Sequence, residues 1–286
     1  MNTQIYPGAD RPLRRALDIA QPGDIIDLHP GVYPEAISTY EGPIARDLTI
    51  RAYRRGDVTL APGYVDRVVL IAESAASGLR LSGLKLDASR CDIDAVKIAD
   101  YGPGRSPDRV SITDCEIWGA PRQGILAAGS YHRFTRLKVH HCGTTWLDHG
   151  IYLTGDHCII SEVDAYRNAG CGIKVWDGTV QRTTRRNLVR YCRAIDNAQN
   201  PDGYNAGLLL GGDENRIYRC ASRGARIGVQ VYSEAVDCEV IDTEVGGNTP
   251  HPRNLQIPTT VWVMPGAVGT VIGGLMLVRA GRHALE

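Results

Sequence analysis

Apolar residues recur along the chain as a short alternating triplet behind a small residue, and the triplet returns every twenty to thirty-five residues. It reads Ala95-Val96-Lys97-Ile98, Gly124-Ile125-Leu126-Ala127, Gly150-Ile151-Tyr152-Leu153, Gly172-Ile173-Lys174-Val175, Gly207-Leu208-Leu209-Leu210 and Gly228-Val229-Gln230-Val231. A period of this size marks a repeat architecture in which each unit buries its apolar face only against the next. A second alternating stretch follows each triplet: Val110 to Ile117, Phe134 to Val139, Ile160 to Ala165, Leu188 to Ala194, Ile217 to Ala221 and Glu239 to Val245. Alternation with period two predicts half-buried strands, and the middle of the chain lacks the 3.6-residue spacing of a helix.

Short strands stacked at roughly 20 to 25 residues per turn, with no helices between them, predict a parallel β-helix. A propeller blade would need roughly forty residues or more per repeat. When the repeats are laid over one another, Cys115, Leu137, Val163, Cys192, Cys220 and Thr243 fall in one column, and Asn168, Asn197 and Asn248 in another. Small apolar residues suit an inward column, and stacked Asn side chains can hydrogen-bond along a ladder at the strand spacing. About ten rungs at ~4.8 Å each would make a rod of roughly 50 Å. Residues 9–20 place Leu13, Ala16, Leu17 and Ala20 on one helical face, with Asp10 as N-cap and Pro12 in the first turn. This helix is expected to cap the N-terminal end.

The Gly-Ile-x-Val rungs, together with the segment from Ala16 through Pro22-Gly23-Asp24 to Gly31-Val32-Tyr33 and Glu35, resemble the right-handed parallel β-helix proteins of the pectate-lyase-like superfamily. The opening is similar to that of alginate-lyase-like and chondroitinase-like β-helices. The resemblance covers nearly the whole chain. It implies an all-β, single-stranded right-handed parallel β-helix, one domain over 1–286, with a cap helix at 9–20 and rungs over 24–283. The same scaffold carries lyases, hydrolases, epimerases and non-catalytic phage or adhesin proteins, so function has to be argued from the site.

Composition narrows the partners. The formal net charge is zero and the four Lys and twenty-eight Arg are mixed with acids along the chain, which leaves no basic footprint for nucleic acid. No run of eighteen apolar residues predicts a membrane span, and residues 1–20 lack the apolar core of a signal peptide; localisation stays open. Eight Cys without a CxxC pair, three of them in the inward column, read as free, buried, structural thiols. The fold requires no cofactor. The apolar segment Val271 to Val278 has no cap after it, which predicts a homo-oligomer through the C-terminal rung.

The outward positions of the triplet strand form two further columns, Lys97, Leu126, Tyr152, Lys174, Leu209, Gln230 and Ala99, Ala128, Thr154, Trp176, Gly211, Tyr232. Two of the four Lys share the first column, and Lys can lower its pKa and act as a base where Arg rarely does. The residues preceding the strands form a third column: Asp94, Gln123, His149, Cys171, Ala206, Ile227. Asp148-His149-Gly150-Ile151 resembles the Gly-His-Gly-Ile strand start of polygalacturonases, although that family's paired Asp-Asp and Arg-Ile-Lys are missing. Long loops lead into this strand and bring Trp146 and Tyr204, which with Trp176 and Tyr232 offer flat faces to sugar rings.

A polysaccharide or oligosaccharide is therefore the expected partner. For β-elimination of a uronate, Lys174 or His149 would be the base, Tyr152 the acid, Arg122 or Lys97 the neutraliser of the carboxylate, and Gln230 a substrate contact. Ca2+ does the neutralising in similar families, and Asp148 or Asp177 could ligate it. A C5 epimerase needs the same proton abstraction. A glycoside hydrolase would instead use paired carboxylates, Asp177 and Asp213, from an expected column of Asp156, Asp177, Asp213 and Glu234. A non-catalytic rod, such as a phage tail or adhesin component, is the third reading. It would bury His149, Tyr152 and Lys174 in packing, whereas an enzyme would hold them within ~6 Å around an open cleft.

Overall fold

The computed structural model describes residues 1–8, 10–99, 106–177, 184–198, 200, 202–203, 205–247 and 259–278. Among these residues the chain winds through three sheets of eleven, nine and ten strands. Every pairing is parallel and joins one rung to the next. In the nine-stranded sheet, Val96 pairs with Ile125, Ile125 with Ile151, Ile151 with Ile173, Ile173 with Leu208 and Leu208 with Val229. This is the β-helix that the triplet period predicts.

Alternation sorts the strand residues. Ile112, Phe134, Ile160, Val189, Ile217 and Val240 of the eleven-stranded sheet and Ile117, Val139, Ala165, Ala194 and Val245 of the ten-stranded sheet all point into one core. The expected small-residue column is fully inward: Cys115, Leu137, Val163, Cys192, Cys220 and Thr243 are buried. All eight cysteines are free and buried.

The corners depend on backbone that the sequence does not announce. Asp114, Arg136, Glu162, Tyr191, Arg219 and Asp242 occupy one corner column in the left-handed region, with φ of 49–57°. For a residue with a Cβ this costs roughly 1 kcal/mol or more. It is offset by rung-to-rung backbone bonds such as Arg136 N to Ser161 O at 3.0 Å and Tyr191 N to Tyr218 O at 3.1 Å.

Two asparagine ladders line other corners. Asn168 donates to Asn197 Oδ1 at 2.9 Å, as expected, while Asn248 lies outside the described residues. A second ladder joins Asn187 Nδ2 to Asn215 Oδ1 at 2.9 Å, and Asn187 Oδ1 accepts the Cys158 N–H at 2.8 Å. The ladder also explains a small residue before the strand. A Cβ on Gly150 would sit 2.6 Å from Gly172 O and 2.7 Å from Asn168 Nδ2.

The N-terminal end departs from expectation in two ways. The helix spans Pro12–Ile19 and buries Leu13, Ala16 and Leu17, but its N-cap is Arg11, whose side chain makes no capping bond. The Glu35 carboxylate replaces the expected Asp10 cap by accepting from Leu13 N at 3.1 Å and Arg14 N at 2.8 Å. The rungs also begin earlier than residue 24, because Asn2–Ile5 pairs with Ile25–Leu28 before the helix starts; that strand is too short and polar to stand out in a pattern. At the other end Leu277 is 72 % exposed although its counterpart Val245 is buried, because among the described residues no rung stacks beyond it. No described helix is long and apolar enough to cross a membrane.

Candidate functional site

The outward column of the nine-stranded sheet forms as the alternation predicts. Lys97 pairs with Leu126, Leu126 with Tyr152, Tyr152 with Lys174, Lys174 with Leu209 and Leu209 with Gln230. Facing outward does not expose these residues. Lys97, Lys174 and Gln230 are 4 %, 4 % and 2 % exposed, since neighbouring side chains cover the sheet.

Beside this column the strand-start residues form a hydrogen-bonded relay. Arg67 Nε donates to Asp94 Oδ2 at 3.0 Å, and Asp94 Oδ1 accepts the Gln123 N–H at 3.1 Å. Gln123 Oε1 accepts the His149 N–H at 2.6 Å, and His149 Nδ1 accepts the Cys171 N–H at 2.9 Å. The column itself is visible in the sequence. Its continuity is not, because side-chain to backbone bonds between residues more than twenty positions apart depend on the rung register.

The relay fixes the protonation of the pair at its end. With Nδ1 accepting, a neutral His149 carries its proton on Nε2, which lies 3.2 Å from Lys174 Nζ. That contact is a hydrogen bond only if the amine offers a lone pair, so the geometry matches the neutral form of Lys174. Burial agrees with this. It lowers the Lys174 pKa from its ordinary value, and burial first, with repulsion from a protonated Lys174 second, holds His149 well below the imidazole range. The faces of Tyr152 and Trp176, with centroids 4.8 and 4.6 Å from Nζ, would favour an ammonium ion. The hydrogen-bond pattern and burial outweigh them, because an ammonium facing an imidazole N–H has no acceptor.

Tyr152 complements this arrangement. Burial, then the charge of Asp177, pushes its phenol up to about 12, so it keeps its proton wherever Lys174 has lost one. Its ring stands edge-on to His149 with centroids 5.4 Å apart. The three expected groups are thus brought together, but under cover rather than around an open cleft: His149 is 1 % exposed and Lys174 4 %. Trp176 supplies part of the cover. Its ring stacks on Tyr232 at 4.7 Å, its Nε1 donates to Glu234, and it lies against Gly211, where a Cβ would collide with the indole. Leu209, Cys171, Ala206 and Ile227 complete an apolar cluster outside the main core, with Trp176, Tyr232 and Trp262 packed on it.

Other expected site residues fall elsewhere. Asp148, a candidate calcium ligand, is buried and caps its own turn. Its Oδ2 accepts from Thr144 N at 3.1 Å, Thr145 N at 2.7 Å and Thr145 Oγ1 at 2.8 Å. Among the described residues no group of three or more His, Cys, Asp or Glu could hold a metal. Trp146 is 40 % exposed and packs over Gly203. Arg122 is exposed next to Gln123, and Tyr204 lies outside the described residues.

Only part of the expected acidic column is stacked. Asp213 bridges to Arg185 on one side and Val236 on the other, and the His157 N–H donated to Arg185 O at 3.0 Å carries the same column on to Asp156, which bridges to Ser130. Asp177 sits two residues past Val175 and accepts the Thr184 N–H at 3.3 Å, and Glu234 is engaged by Trp176 and by Ser233 Oγ at 2.8 Å. Arg185 is the neighbour of Asp213, while Val175 pairs with Leu210, so Asp177 and Asp213 are not stacked neighbours.

Comparison with known proteins follows the architecture. The sequence profile of the family described as "Right handed beta helix region" matches residues 104–256, more than half of the chain. Among solved structures the chain is similar to an alginate lyase from Paenibacillus sp. str. FPU-7, with a TM-score of 0.68 and 17 % identity, covering 98 % of both chains. It is also similar to the A-module of the Azotobacter vinelandii mannuronan C-5 epimerase AlgE4 (TM-score 0.64, 16 % identity, 90 % of this chain and 80 % of that one). The pectate lyase Pel9A aligns with a TM-score of 0.59 at 12 % identity, over 95 % of this chain and 78 % of that one. No curated protein matches the chain.

Proposed function

The chain belongs to the right-handed β-helix family, and from that premise we propose that it is a carbohydrate-active enzyme of the pectate-lyase-like kind, a polysaccharide lyase that cleaves a uronate-containing glycan by β-elimination. The observation that carries the reading is the pairing of Lys174, buried with a lowered pKa, with Tyr152, whose pKa is raised, on one outward column.

In this reading Lys174 is the base. A uronate C5 proton passes to the Nζ lone pair, the C4–O bond breaks as the C4–C5 double bond forms, and Tyr152 protonates the leaving oxygen. His149 moves from candidate base to positioning residue. Both of its ring nitrogens are already engaged, and its Nε2–H keeps the lysine amine unprotonated. The exposed Arg122, two rungs away, would meet the carboxylate of a neighbouring uronate. Lys174 must be uncovered for substrate to reach it, and Trp176 is the side chain whose movement does this.

The test is ultraviolet absorbance of unsaturated uronate ends on alginate, pectate, chondroitin, heparin and glucuronan. A rise with the parent protein and none with Lys174→Met supports the lyase. C5 inversion seen by NMR without a rise moves the reading to an epimerase. The burial of His149 and Lys174 favours a second reading, a non-catalytic carbohydrate-binding rod. Retention on a glycan column without new unsaturated or reducing ends is its expected result.

A further inference from the structure

The ten-stranded sheet, and not the nine-stranded sheet beside the relay, carries two adjacent histidines. His140 ends the strand Lys138–His140, and His141 follows in the left-handed region at φ 53°. Consecutive strand residues point to opposite faces, so two neighbouring side chains meet only where the backbone departs from the strand. The left-handed corner does this here. The rings lie edge to face with centroids 5.0 Å apart, and His140 Nδ1 is 2.8 Å from His141 Nδ1.

The surroundings decide which nitrogens hold lone pairs. Glu116 Oε1 lies 3.3 Å from His140 Nε2, on the far side of the ring, and a carboxylate only accepts. His140 therefore keeps its proton on Nε2 and its lone pair on Nδ1. A carboxylate behind the distal nitrogen is also the usual support of a metal-bound imidazole. His141 donates its Nδ1–H to His140 in the metal-free protein. Because His141 is exposed, that proton can move to its own Nε2, and both Nδ1 lone pairs then turn to one point.

We propose that His140 and His141 form a surface site for a divalent transition-metal ion, with Cu2+ or Ni2+ preferred to Zn2+. Metal–imidazole bonds of about 2.0–2.1 Å at a right angle set their nitrogens about 2.9 Å apart, whereas a tetrahedral angle sets them about 3.4 Å apart. The observed 2.8 Å fits the tetragonal ions, which also lead the affinity order for nitrogen ligands. The other positions belong to water, since no third His, Cys, Asp or Glu completes the group among the described residues.

Trp118 provides the readout, because its ring stacks on His140 with centroids 6.1 Å apart. Titration of the full chain with Cu2+ is expected to quench indole fluorescence and to give an electron paramagnetic resonance spectrum split by two nitrogens. Trp118→Phe should lose most of the quenching and keep the spectrum. His141→Ala, at an exposed position, should lose the two-nitrogen spectrum, and Glu116→Gln should weaken binding about tenfold or more. Binding unchanged in both His140→Ala and His141→Ala, or a parent protein that leaves Cu2+ unbound at several-fold excess, overturns the assignment. The activity proposed above plays no part in this measurement.

Discussion

His149 Nε2 and Lys174 Nζ lie 3.2 Å apart while His149 Nδ1 accepts the backbone N–H of Cys171, so the lysine amine must serve as the acceptor in the contact. A backbone hydrogen bond from one rung to the side chain of the rung before it thereby favours the neutral form of Lys174. Arg67, Asp94 and Gln123 extend this control over further rungs by holding the His149 backbone in place.

Lys174→Met is expected to abolish turnover, with a loss of at least about 10²-fold for a proton-transfer role. Unfolding free energy should stay within about 1 kcal/mol of the parent, because relief from burying an amine is offset by leaving the His149 Nε2–H without an acceptor. Initial rates and denaturant unfolding of the same preparation check both parts. A fully active Lys174→Met would end the assignment of the base.

The rate should fall as pH drops through the lowered Lys174 pKa, because only the neutral amine takes a proton, and should hold at alkaline pH until Tyr152 ionises near about 12. Gly211→Ala gives this limb a structural handle. The new Cβ displaces the Trp176 indole, admits water to Nζ and moves the acid limb to higher pH. An acid limb that stays in place would show that Trp176 does not set the amine's environment.

Stability should decline as pH falls below 6.5. Burial depresses the pKa of His149 and His132 in the folded protein, so the unfolded chain takes up protons near 6.5 that the native state refuses. Their contribution is intact above the unfolded value and is lost below it, at about 1.4 kcal/mol per pH unit for each group, until the folded pKa is reached. His149→Phe is expected to flatten this slope by one group's share, as measured by denaturant midpoints between about pH 5 and 7.

Asn187→Ala removes the acceptor of Cys158 N–H and the donor to Gly155 O, both buried, as well as the bond to Asn215. Leaving two buried backbone groups unpaired costs about 3 kcal/mol. Chemical denaturation would measure the loss. A change below about 0.5 kcal/mol would mean that water replaces the ladder.

The sequence by itself determined the rungs and their register. Apolar residues at period two, with small residues where rungs approach closely, leave one economical way to bury Ile125, Ile151 and Ile173 together, and that register puts Tyr152 beside Lys174. What it could not carry was anything set by corner geometry or by loop length. Left-handed residues such as Arg136 and His141 have ordinary side chains, so neither the corners nor the meeting of His140 with His141 shows in the pattern. Arg185, and not Asp177, stacks against Asp213, and the turn at Thr144 and Thr145 claimed the Asp148 carboxylate. Only the tertiary structure decided which of two nitrogen bases holds a free lone pair, because that depends on a backbone N–H twenty-two residues away from His149.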